Sequence, residues 1–441
     1  MSLPNPESTN EMTSQNQITK EQPEDLSHTE FHGVSSEIWE RWRSQLLPDD
    51  LSIPSDYKII DDKNEFELLL LSPLGRGVSA SVYVIQIINS VQNPEINSQL
   101  YSLKVFRKNQ VSLNQGNIES TVIPSLKKLM ASRRNSPFIN FLTSLTISDH
   151  FAIITELCGP TLFQVLTMRR CHGLPLPVIR SILTQLLQGL EKMEGRAMVH
   201  GDIKPENVLL SLRHYGPITS FESYKEHLQE INYAFTHDEF ELPGLLEIVL
   251  IDWSSTSIGF NQIASYMQSR FYRAPEILLR EKFGPAADIW SVGCFASELF
   301  LGSPLFPGSD ENDMLVQIQL KFGPFPLSLT RSIGIGSVAK GTDHWKLPKE
   351  LYVPGNFENY IQERSGRSDF EVLAFINILR LMLQVNPDAR ITASSAVMHP
   401  FITGTIESAS LRVKGRRESD ESDGSSGGRR KHSFKILKAK L

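Results

Sequence analysis

The stretch VHGDIKPENVLL, residues 199–210, decides the fold of this 441-residue chain. It carries Asp202, Lys204 and Asn207 in a short loop that Pro205 stiffens, and the apolar residues after the loop predict a return to a buried strand. Phosphoryl transfer needs a carboxylate beside the attacking hydroxyl, a cation on the γ-phosphate and an oxygen ligand for Mg²⁺. The loop supplies one side chain for each need, with Asp202 as the group that orients or deprotonates the substrate hydroxyl.

A second carboxylate follows about fifty residues downstream. In EIVLIDWSS, residues 247–255, the apolar run EIVLI predicts a buried strand that ends at Asp252. Delivered to the same site, this carboxylate would chelate Mg²⁺ between the β- and γ-phosphates. Asn207 and Asp252 are therefore the predicted metal ligands.

Two glycines, Gly75 and Gly77, lie between two strand-like segments in LGRGVSASVYV, residues 74–84. Without side chains, the backbone amides of such a turn can approach phosphates closely. A glycine pair in a hairpin is also an ordinary turn. Ala80 stands where phosphate-binding loops of this kind carry a third glycine, so the segment by itself is a weak signal.

Lys104 lies in the apolar segment YSLKVF, residues 101–106. Burying a lysine is costly unless it is paired, so a partner is expected. Glu119 is the only acidic residue between Lys104 and Asn135, and it begins a helical stretch 15 residues after the lysine. This spacing predicts a strand-to-helix ion pair that fixes Lys104 on the α- and β-phosphates. Taken alone, either residue could equally be solvated.

Composition excludes several classes of protein. A formal net charge of −6 argues against a broad basic surface for nucleic acid. The three cysteines, Cys158, Cys171 and Cys294, form no CxxC pair and indicate neither a disulfide framework nor a zinc site. No spanning apolar run or signal-peptide pattern is present. We expect a monomer of the cytoplasm, the nucleus or both, with no nucleic-acid or membrane partner.

The chain divides into a β-rich part and a helical part. From Glu65 to Leu157 the segments FELLLLSPL, SVYVIQII and LYSLKVF predict an antiparallel meander with one main helix. After Leu157, apolar positions recur every three or four residues in LPVIRSILTQLLQGLEKM, AADIWSVGCFASELFLG, DMLVQIQLKFG and EVLAFINILRLML. The expected fold is α+β, a small antiparallel sheet lobe followed by a large helical lobe.

Polar segments flank and interrupt these lobes. Residues 1–33 and 402–441 predict disordered tails, the second basic and serine-rich, with nuclear import or phosphorylation as alternative uses. Residues 34–64 form an N-terminal extension in which SSEIWERWRSQLL, residues 35–47, predicts a short helix that packs on the domain or binds a partner. Residues 212–244 are a polar insertion between the loop and Asp252.

Together these motifs resemble those of the eukaryotic protein kinases over roughly residues 65–401. The resemblance extends to SRFYRAPEILL at 269–279, ADIWSVGCFASELFLGSPLFPG at 287–308 and NPDARITASSAVMHPF at 386–401. It implies the bilobal kinase fold, with an N-lobe at 65–156 and a C-lobe at 157–401. It further implies ATP as phosphoryl donor, Mg²⁺ as cofactor and protein Ser/Thr residues as acceptors.

The resemblance also assigns roles residue by residue. The implied catalytic residues are Lys104, Glu119, Asp202, Lys204 and Asn207. The implied nucleotide site contains Leu74, Gly75, Gly77, Val82, Lys104, Glu156, Cys158, Leu209 and Asp252, with Thr155 as gatekeeper before the hinge. Glu276 would pair with Arg390 to brace the C-lobe, and Asp288 would anchor the backbone of the catalytic loop.

Finer features resemble one branch of the family. SYMQSRFYR, residues 265–273, is similar to the activation segment of the dual-specificity tyrosine-regulated (DYRK) and homeodomain-interacting (HIPK) kinases of the CMGC group. In those families a tyrosine at the position of Tyr266 is autophosphorylated, whereas a merely packed tyrosine is the alternative. The long insertion after HGDIKPENVLL is similar to that of the SR-protein kinases. Glu206 and Arg273 imply a preference for Arg before and Pro after the acceptor.

Two departures from the kinase pattern bear on activity. Gly201 replaces the arginine that clasps a phosphorylated activation loop, as it is replaced in the DYRK, HIPK and SR-protein kinases. Asp252 is followed by Trp253 and Ser254 instead of Phe-Gly, and a β-carbon at Ser254 disfavours the peptide flip that glycine permits. Ser254 predicts either a fixed metal-binding conformation or impaired Mg²⁺ binding; we favour the first because every required side chain is present.

Two hypotheses follow from the sequence. The first is an active Ser/Thr kinase that uses MgATP and autophosphorylates a tyrosine in its activation segment. The second is a pseudokinase scaffold that binds partners through its insertion and tails. A scaffold needs none of the charged residues above, so their joint presence favours the first.

Overall fold

The computed structural model describes residues 57–129, 136–241, 244–259, 267–326 and 356–405. A six-stranded antiparallel sheet comes first along these residues, and a large helical lobe follows. The predicted α+β bilobal architecture is confirmed. The strands of the sheet are β1 Tyr57–Ile60, β2 Phe66–Arg76, β3 Ala80–Ser90, β4 Leu100–Phe106, β5 Phe141–Ile147 and β6 His150–Glu156.

The sheet places Lys104 at its centre. The strand order is β1-β2-β3-β4-β6-β5, so β4 lies between β3 and β6, and Lys104 is paired with Val82 on one side and Ile153 on the other. Leu103 and Val105, its neighbours in sequence, are buried in the apolar cluster on one face of the sheet. Because successive side chains of a strand alternate between faces, Lys104 points to the opposite face.

The sheet begins before Glu65, earlier than the sequence indicates. β1 pairs with β2 from Tyr57 opposite Leu70 to Ile60 opposite Glu67. The two strands are joined by a turn that Asp61 closes, with its carboxylate accepting hydrogen bonds from the backbone amides at 63, 65 and 66. The C-terminal end of the expected extension therefore contributes an edge strand, whereas the helix expected at 35–47 lies outside the described residues.

Helix α1, Gln110–Leu129, is the main helix of the N-lobe. It packs against β5 and β6 and against the short 3-10 turn at 253–255, which follows Asp252. Pro124 lies inside the helix, where it removes one backbone hydrogen bond from the helical ladder. The helix thus links the sheet to the turn that carries Asp252.

The C-lobe is built around one nearly fully buried helix. That helix is α6, Ala286–Leu301, in which 14 of the 16 residues are buried. The other helices are α2 Leu162–Met168, α3 Leu176–Glu194, α4 Phe221–Thr236, α5 Pro275–Leu278, α7 Glu311–Phe322, α8 Asn356–Ser365, α9 Phe370–Met382, α10 Ala393–Val397 and α11 Pro400–Thr403. In the part of the chain that the structure describes, no helix is both long enough and apolar enough to cross a membrane.

Two small antiparallel pairs position the loops between the lobes. β7 Met198–Val199 pairs with β10 Ser257–Ile258, and β8 Val208–Leu210 pairs with β9 Ile248–Leu250. The amide of Ile251 donates to the carbonyl of Asn207 at 2.9 Å. The segments that carry Asn207 and Asp252 are therefore held side by side.

The predicted insertion contains a folded helix. Residues 213–215 form a 3-10 turn, and Ser220 caps α4 by accepting a hydrogen bond from the amide of Ser223. Tyr224, Ile231 and Phe235 are buried against the C-lobe core. These residues recur at helical spacing, so the sequence contained the amphipathic signal, which the many polar residues around them obscured.

A buried ion pair braces the C-lobe. The guanidinium of Arg390 donates to both carboxylate oxygens of Glu276, at 2.7 and 2.9 Å, and both side chains are fully buried. Arg390 also donates to the backbone carbonyls of Ala286 and Gln384. The guanidinium is thus fully hydrogen-bonded, as a buried charge must be. The ion pair implied by the resemblance is present.

Arg390→Ala is expected to lower the free energy of unfolding by about 3–5 kcal/mol, because it leaves the Glu276 carboxylate buried and unpaired. Chemical denaturation of the full chain measures this loss. Arg367→Ala is the matched control, since Arg367 pairs with Asp369 on the surface and such pairs contribute less than about 1 kcal/mol. Equal losses in the two variants would contradict the bracing role of Arg390.

Candidate active site

Three charged side chains meet below the sheet. Lys104 Nζ lies 2.5 Å from Glu119 Oε1 and 3.1 Å from Asp252 Oδ1. The lysine comes from β4, the glutamate from α1 and the aspartate from the turn that follows β9. The ion pair that the sequence spacing predicts is present, and Asp252 joins it as a second partner of the lysine.

The charges of this triad stabilise one another. Burial alone would lower the pKa of Lys104, but the carboxylates of Glu119 and Asp252 outweigh it and hold that pKa well above its ordinary value. Burial would raise the pKa of Asp252, yet Lys104 and the hydroxyl of Ser254 hold it well below its usual range. For Glu119 burial dominates and raises the pKa, with Lys104 opposing the rise. Lys104 and Asp252 therefore remain charged at neutral pH.

Asp202 is enclosed by hydrogen-bond donors. Its Oδ2 accepts from Lys204 Nζ at 2.8 Å and from Asn207 Nδ2 at 2.9 Å. Its Oδ1 accepts from the amide and the hydroxyl of Ser269, at 3.1 and 2.7 Å, and Lys204 also donates to that hydroxyl at 2.8 Å. The structure thus brings the three predicted loop residues together.

Ser269 is a site residue that the sequence reasoning missed. It contacts both Asp202 and Lys204, although it lies 67 residues after the aspartate. It begins the motif SRFYRAPE, in which the sequence analysis assigned roles to Arg273 and Glu276 but none to the serine. A serine at the start of that motif was the available signal, but only the folded chain shows its hydroxyl beside the carboxylate.

The backbone of the loop is fixed from beneath. Asp288 on α6 accepts hydrogen bonds from the amides of His200 and Gly201, at 2.6 and 3.0 Å. The His200 ring spans two segments: its Nε2–H donates to the carbonyl of Ile251, and its Nδ1 accepts from the amide of Asp202. These partners fix the tautomer of the ring. His200 therefore joins the backbone of Asp202 to the strand that delivers Asp252.

The Asp-Trp-Ser sequence adopts a compact turn. Asp252 has a left-handed backbone conformation with φ 62°, whereas Trp253 and Ser254 begin a 3-10 turn. The Trp253 ring is fully buried and packs edge-on against His200, with ring centroids 4.6 Å apart. Ser254 Oγ donates to Asp252 Oδ1 at 2.9 Å. The 3-10 turn is a backbone conformation that serine adopts readily, and the Ser254 hydroxyl fixes the position of the Asp252 carboxylate.

Asn207 and Asp252 suit an Mg²⁺ ion. Asn207 uses its amide nitrogen on the Asp202 carboxylate and backbone carbonyl, which leaves its oxygen as the atom that can ligate a cation. Asp252 contributes an ionised carboxylate, and oxygen ligands are those that Mg²⁺ prefers. Among the described residues no group of three or more His, Cys, Asp or Glu could hold a metal. Phosphate and water oxygens would therefore have to complete the coordination.

The other residues of the predicted nucleotide site lie in the β2–β3 hairpin, at the end of β6 and just after it, and in β8. Gly75 pairs with Val82 beside a bulge in the β2–β3 hairpin, and the amide of Gly77 donates to the carbonyl of Ala80 at 2.8 Å. Ala80 is buried with Phe106 at the start of β3, beyond the turn itself. Leu74, Val82 and Leu209 are half-buried, and Thr155 and Cys158 are buried at the end of β6 and after it. Tyr266 lies outside the described residues.

Gly201 occupies a position that a side chain fits poorly. Its φ is +80°, and a β-carbon built there would lie 2.9 Å from the carbonyl oxygen of Ser255 and 2.5 Å from Met267 Cε. A residue with a side chain would therefore strain the backbone at the loop that carries Asp202. This close approach accounts for glycine at the position.

Gly201→Ala is expected to destabilise the chain by about 1–3 kcal/mol, through the positive φ and the contact with the Ser255 carbonyl. Thermal and urea denaturation measure the effect. Gly75→Ala is the control, because no atom lies within 4 Å of its β-carbon position. If Gly201→Ala unfolds no earlier than Gly75→Ala, the constraint on Gly201 does not exist.

Curated relatives of the chain are protein kinases. It is 30% identical over 368 residues to the serine/threonine-protein kinase ppk5 of Schizosaccharomyces pombe, covering 82% of this chain and 39% of that one. It is 26% identical to the dual specificity protein kinase YAK1 of Saccharomyces cerevisiae, covering 80% and 44% of the two chains. It is 28% identical to dual specificity tyrosine-phosphorylation-regulated kinase 3 of Rattus norvegicus, covering 69% of this chain and 50% of that one. The chain thus spans half the length of these relatives or less.

A kinase domain of known crystal structure shares the fold, with a TM-score of 0.60 at 21% identity, over 80% of this chain and 98% of that one. The family model for the protein kinase domain matches residues 69–402, which include every residue of the site described above. The expected resemblance to the DYRK branch is confirmed by the relatives. The chain belongs to the protein kinase family.

Proposed function

We propose that the chain transfers the γ-phosphoryl group of ATP to serine or threonine residues of protein substrates. The observation that carries the proposal is the triad in which Lys104 lies between Glu119 and Asp252. A lysine held by two carboxylates is costly to bury, and buried ionisable groups of this kind cluster at functional sites. The relatives named as serine/threonine and dual-specificity kinases favour the same chemistry.

In the proposed reaction the chain mainly positions and neutralises charge. Lys104 binds the α- and β-phosphates, and Asn207 and Asp252 would hold Mg²⁺, which when bound neutralises the charge of the phosphates. Asp202 accepts a hydrogen bond from the substrate hydroxyl and orients its oxygen for attack, and Lys204 steadies the γ-phosphate. The donors around Asp202 fix the direction of its carboxylate, which preorganises the site.

Arg273 is proposed to determine which substrate residue is preferred directly after the acceptor serine or threonine. This buried arginine donates through Nε and Nη2 to the backbone carbonyl of Gln268, at 3.2 and 2.8 Å, and through Nη1 to Glu311. Gln268 has a left-handed φ of 63°. With its carbonyl engaged, Gln268 cannot accept a hydrogen bond from the residue that follows the acceptor. Proline, which has no N–H, loses nothing there. Glu206, which is exposed, is proposed to favour Arg before the acceptor.

The alternative is a pseudokinase scaffold, and Ser254 is the residue that would support it. The hydrogen bond from Ser254 to Asp252 favours a held metal ligand over an impaired one. A scaffold would also have no use for the enclosed Asp202 carboxylate. The active kinase is therefore the better supported proposal.

The direct test is phosphoryl transfer from labelled ATP to a basic Ser/Thr protein substrate by the wild type and by Asp202→Asn. We expect the substitution to lower the rate about 10²–10⁴-fold, because the amide cannot take the proton of the acceptor. Equal transfer by the wild type and by Asp202→Asn, or no transfer by a folded wild type, would falsify the kinase proposal.

Intact mass after bacterial expression tests the autophosphorylation of Tyr266. A phosphate on that tyrosine is expected in the wild type and is expected to be absent in Lys104→Met.

Peptides that differ only in the residue after the acceptor serine test the role of Gln268 and Arg273. With proline at that position, kcat/KM is expected to be about fivefold or more above that of the alanine peptide, whose N–H would be left without a partner. A peptide with N-methylalanine, which also lacks the N–H, is the matched control and should approach the proline value. Equal rates for all three peptides would contradict the account.

Ser254→Ala removes the hydroxyl that holds Asp252, and the KM for Mg²⁺ in the transfer assay is expected to rise about 2–10-fold. Ser254→Thr keeps a hydroxyl and should stay close to wild type. Ser254→Gly, the usual kinase residue, should resemble or exceed the alanine variant because it also adds backbone freedom. A glycine variant with a lower KM for Mg²⁺ and a higher kcat would show instead that the serine impairs metal binding.

The limits of the domain at 65–401, the monomeric state, and residence in the cytoplasm or nucleus stay predictions. Sedimentation of the full chain and imaging of a tagged copy check the last two. A dimer at micromolar concentration, or a membrane-bound signal, would contradict them.

A further inference from the structure

A segment of the insertion connects the two lobes for a second time, outside the hinge. We name residues 213–236 the strap. From the C-lobe it rises to the N-lobe sheet, where the carbonyl of Ile218 accepts from the amide of Leu100 at 2.7 Å. The next carbonyl, of Thr219, accepts from Gln86 Nε2 at 3.0 Å. The strap is thus hydrogen-bonded to both β3 and β4.

The strap then returns across the hinge as helix α4. Tyr224 is buried, and its hydroxyl donates to the backbone carbonyl of Cys158 at 3.3 Å. Further along, Ile231 Cδ1 lies 3.4 Å from the position that a β-carbon on Gly159 would take. At the C-terminal end, Arg169, the residue that directly follows α2, donates to the carbonyl of Phe235 at 2.6 Å. The helix therefore lies against the hinge from the N-lobe side to α2.

Arg213, the first residue of the strap, holds the start of the hinge. Its Nε and Nη2 donate to the two carboxylate oxygens of Glu156, at 2.8 and 2.5 Å. Its Nη1 and Nη2 also donate to the carbonyls of Ser136 and Phe138, which precede β5, at 2.5 and 2.7 Å. A planar guanidinium can satisfy all four acceptors at once, which an ammonium group cannot. One side chain of the C-lobe thus fixes two segments of the N-lobe.

We propose that the strap positions the hinge for nucleotide and restrains movement of the lobes, with Arg213 and Tyr224 as its positioning residues. The inference rests on the proposed function, because the hinge at 156–158 is where the adenine of ATP would bind. Two of the three hinge residues are held by the strap, Glu156 through its carboxylate and Cys158 through its carbonyl.

The energetic consequence is preorganisation. A hinge already fixed in its binding geometry loses less conformational freedom when nucleotide binds, so affinity is higher. Opening of the cleft would have to break the Leu100–Ile218 hydrogen bond and the contacts of Arg213, so release of ADP is slower. The strap therefore favours the closed, nucleotide-bound state without touching the phosphates.

Two conservative variants test the strap while preserving its packing. Tyr224→Phe deletes only the hydroxyl on Cys158, and Arg213→Lys keeps the charge but not the paired donors. In each, the Kd for ADP, measured by calorimetry, is expected to rise about three- to tenfold and ADP dissociation to accelerate. The KM for ATP should rise with kcat unchanged or higher, since no group at the phosphates is altered.

Tyr215→Phe is the matched control. Tyr215 lies in the same strap, but its hydroxyl donates to Glu230, also within the strap, at 2.9 Å. It should leave nucleotide binding unchanged. Arg213→Ala should bind ADP more weakly than Arg213→Lys does, because the lysine restores part of the affinity that is lost with the arginine.

Hydrogen exchange at the Leu100 amide gives a readout without nucleotide. Its acceptor belongs to the strap, so exchange should be faster in Tyr224→Phe and Arg213→Lys and unchanged in Tyr215→Phe. Suppose that the wild type binds ADP. If Tyr224→Phe and Arg213→Lys then leave either the exchange at Leu100 or the Kd for ADP unchanged, the inference is overturned and the kinase proposal stays intact. Accelerated exchange in a protein that binds no nucleotide would overturn the kinase proposal, and with it the role of the strap in nucleotide binding.

Discussion

The positive charge of Lys104 is the constraint on which the arrangement of the cleft depends. The lysine lies at the centre of the sheet, on the face away from the apolar cluster, and its ammonium group must find partners to remain there. Glu119 supplies one from α1, and Asp252 supplies the other from the turn after β9. A single charge therefore fixes the helix, the sheet and the C-lobe strand relative to one another.

A second set of polar contacts carries this order into the catalytic loop. His200 bonds to the backbone on both sides, at Asp202 and at Ile251, while Asp288 holds the loop amides from the most buried helix of the C-lobe. Trp253 packs on the histidine ring and fills the space beneath it. Because each of these groups is buried and hydrogen-bonded, the two carboxylates of the site have few alternative positions.

The sequence was most informative where chemistry demands particular side chains. The loop HGDIKPEN and the pair Lys104 and Glu119 could be predicted because phosphoryl transfer and buried charge each restrict the choice of residue. It was least informative where function depends on contacts between distant segments. The roles of Ser269 and of the strap could not be recognised, because a serine hydroxyl and an amphipathic helix acquire them only from the carboxylate and the hinge that they reach in the folded chain.

The central claim is that Lys104, Asn207 and Asp252 form one site for ATP with Mg²⁺. Calorimetric titration with a non-hydrolysable ATP analogue, in Mg²⁺ and in EDTA, tests it most directly. The account predicts tighter binding with Mg²⁺ in wild type, loss of that difference in Asp252→Asn, and weak binding under both conditions in Lys104→Met. Nucleotide binding by wild type that is absent, or that is indifferent to Mg²⁺, would contradict it.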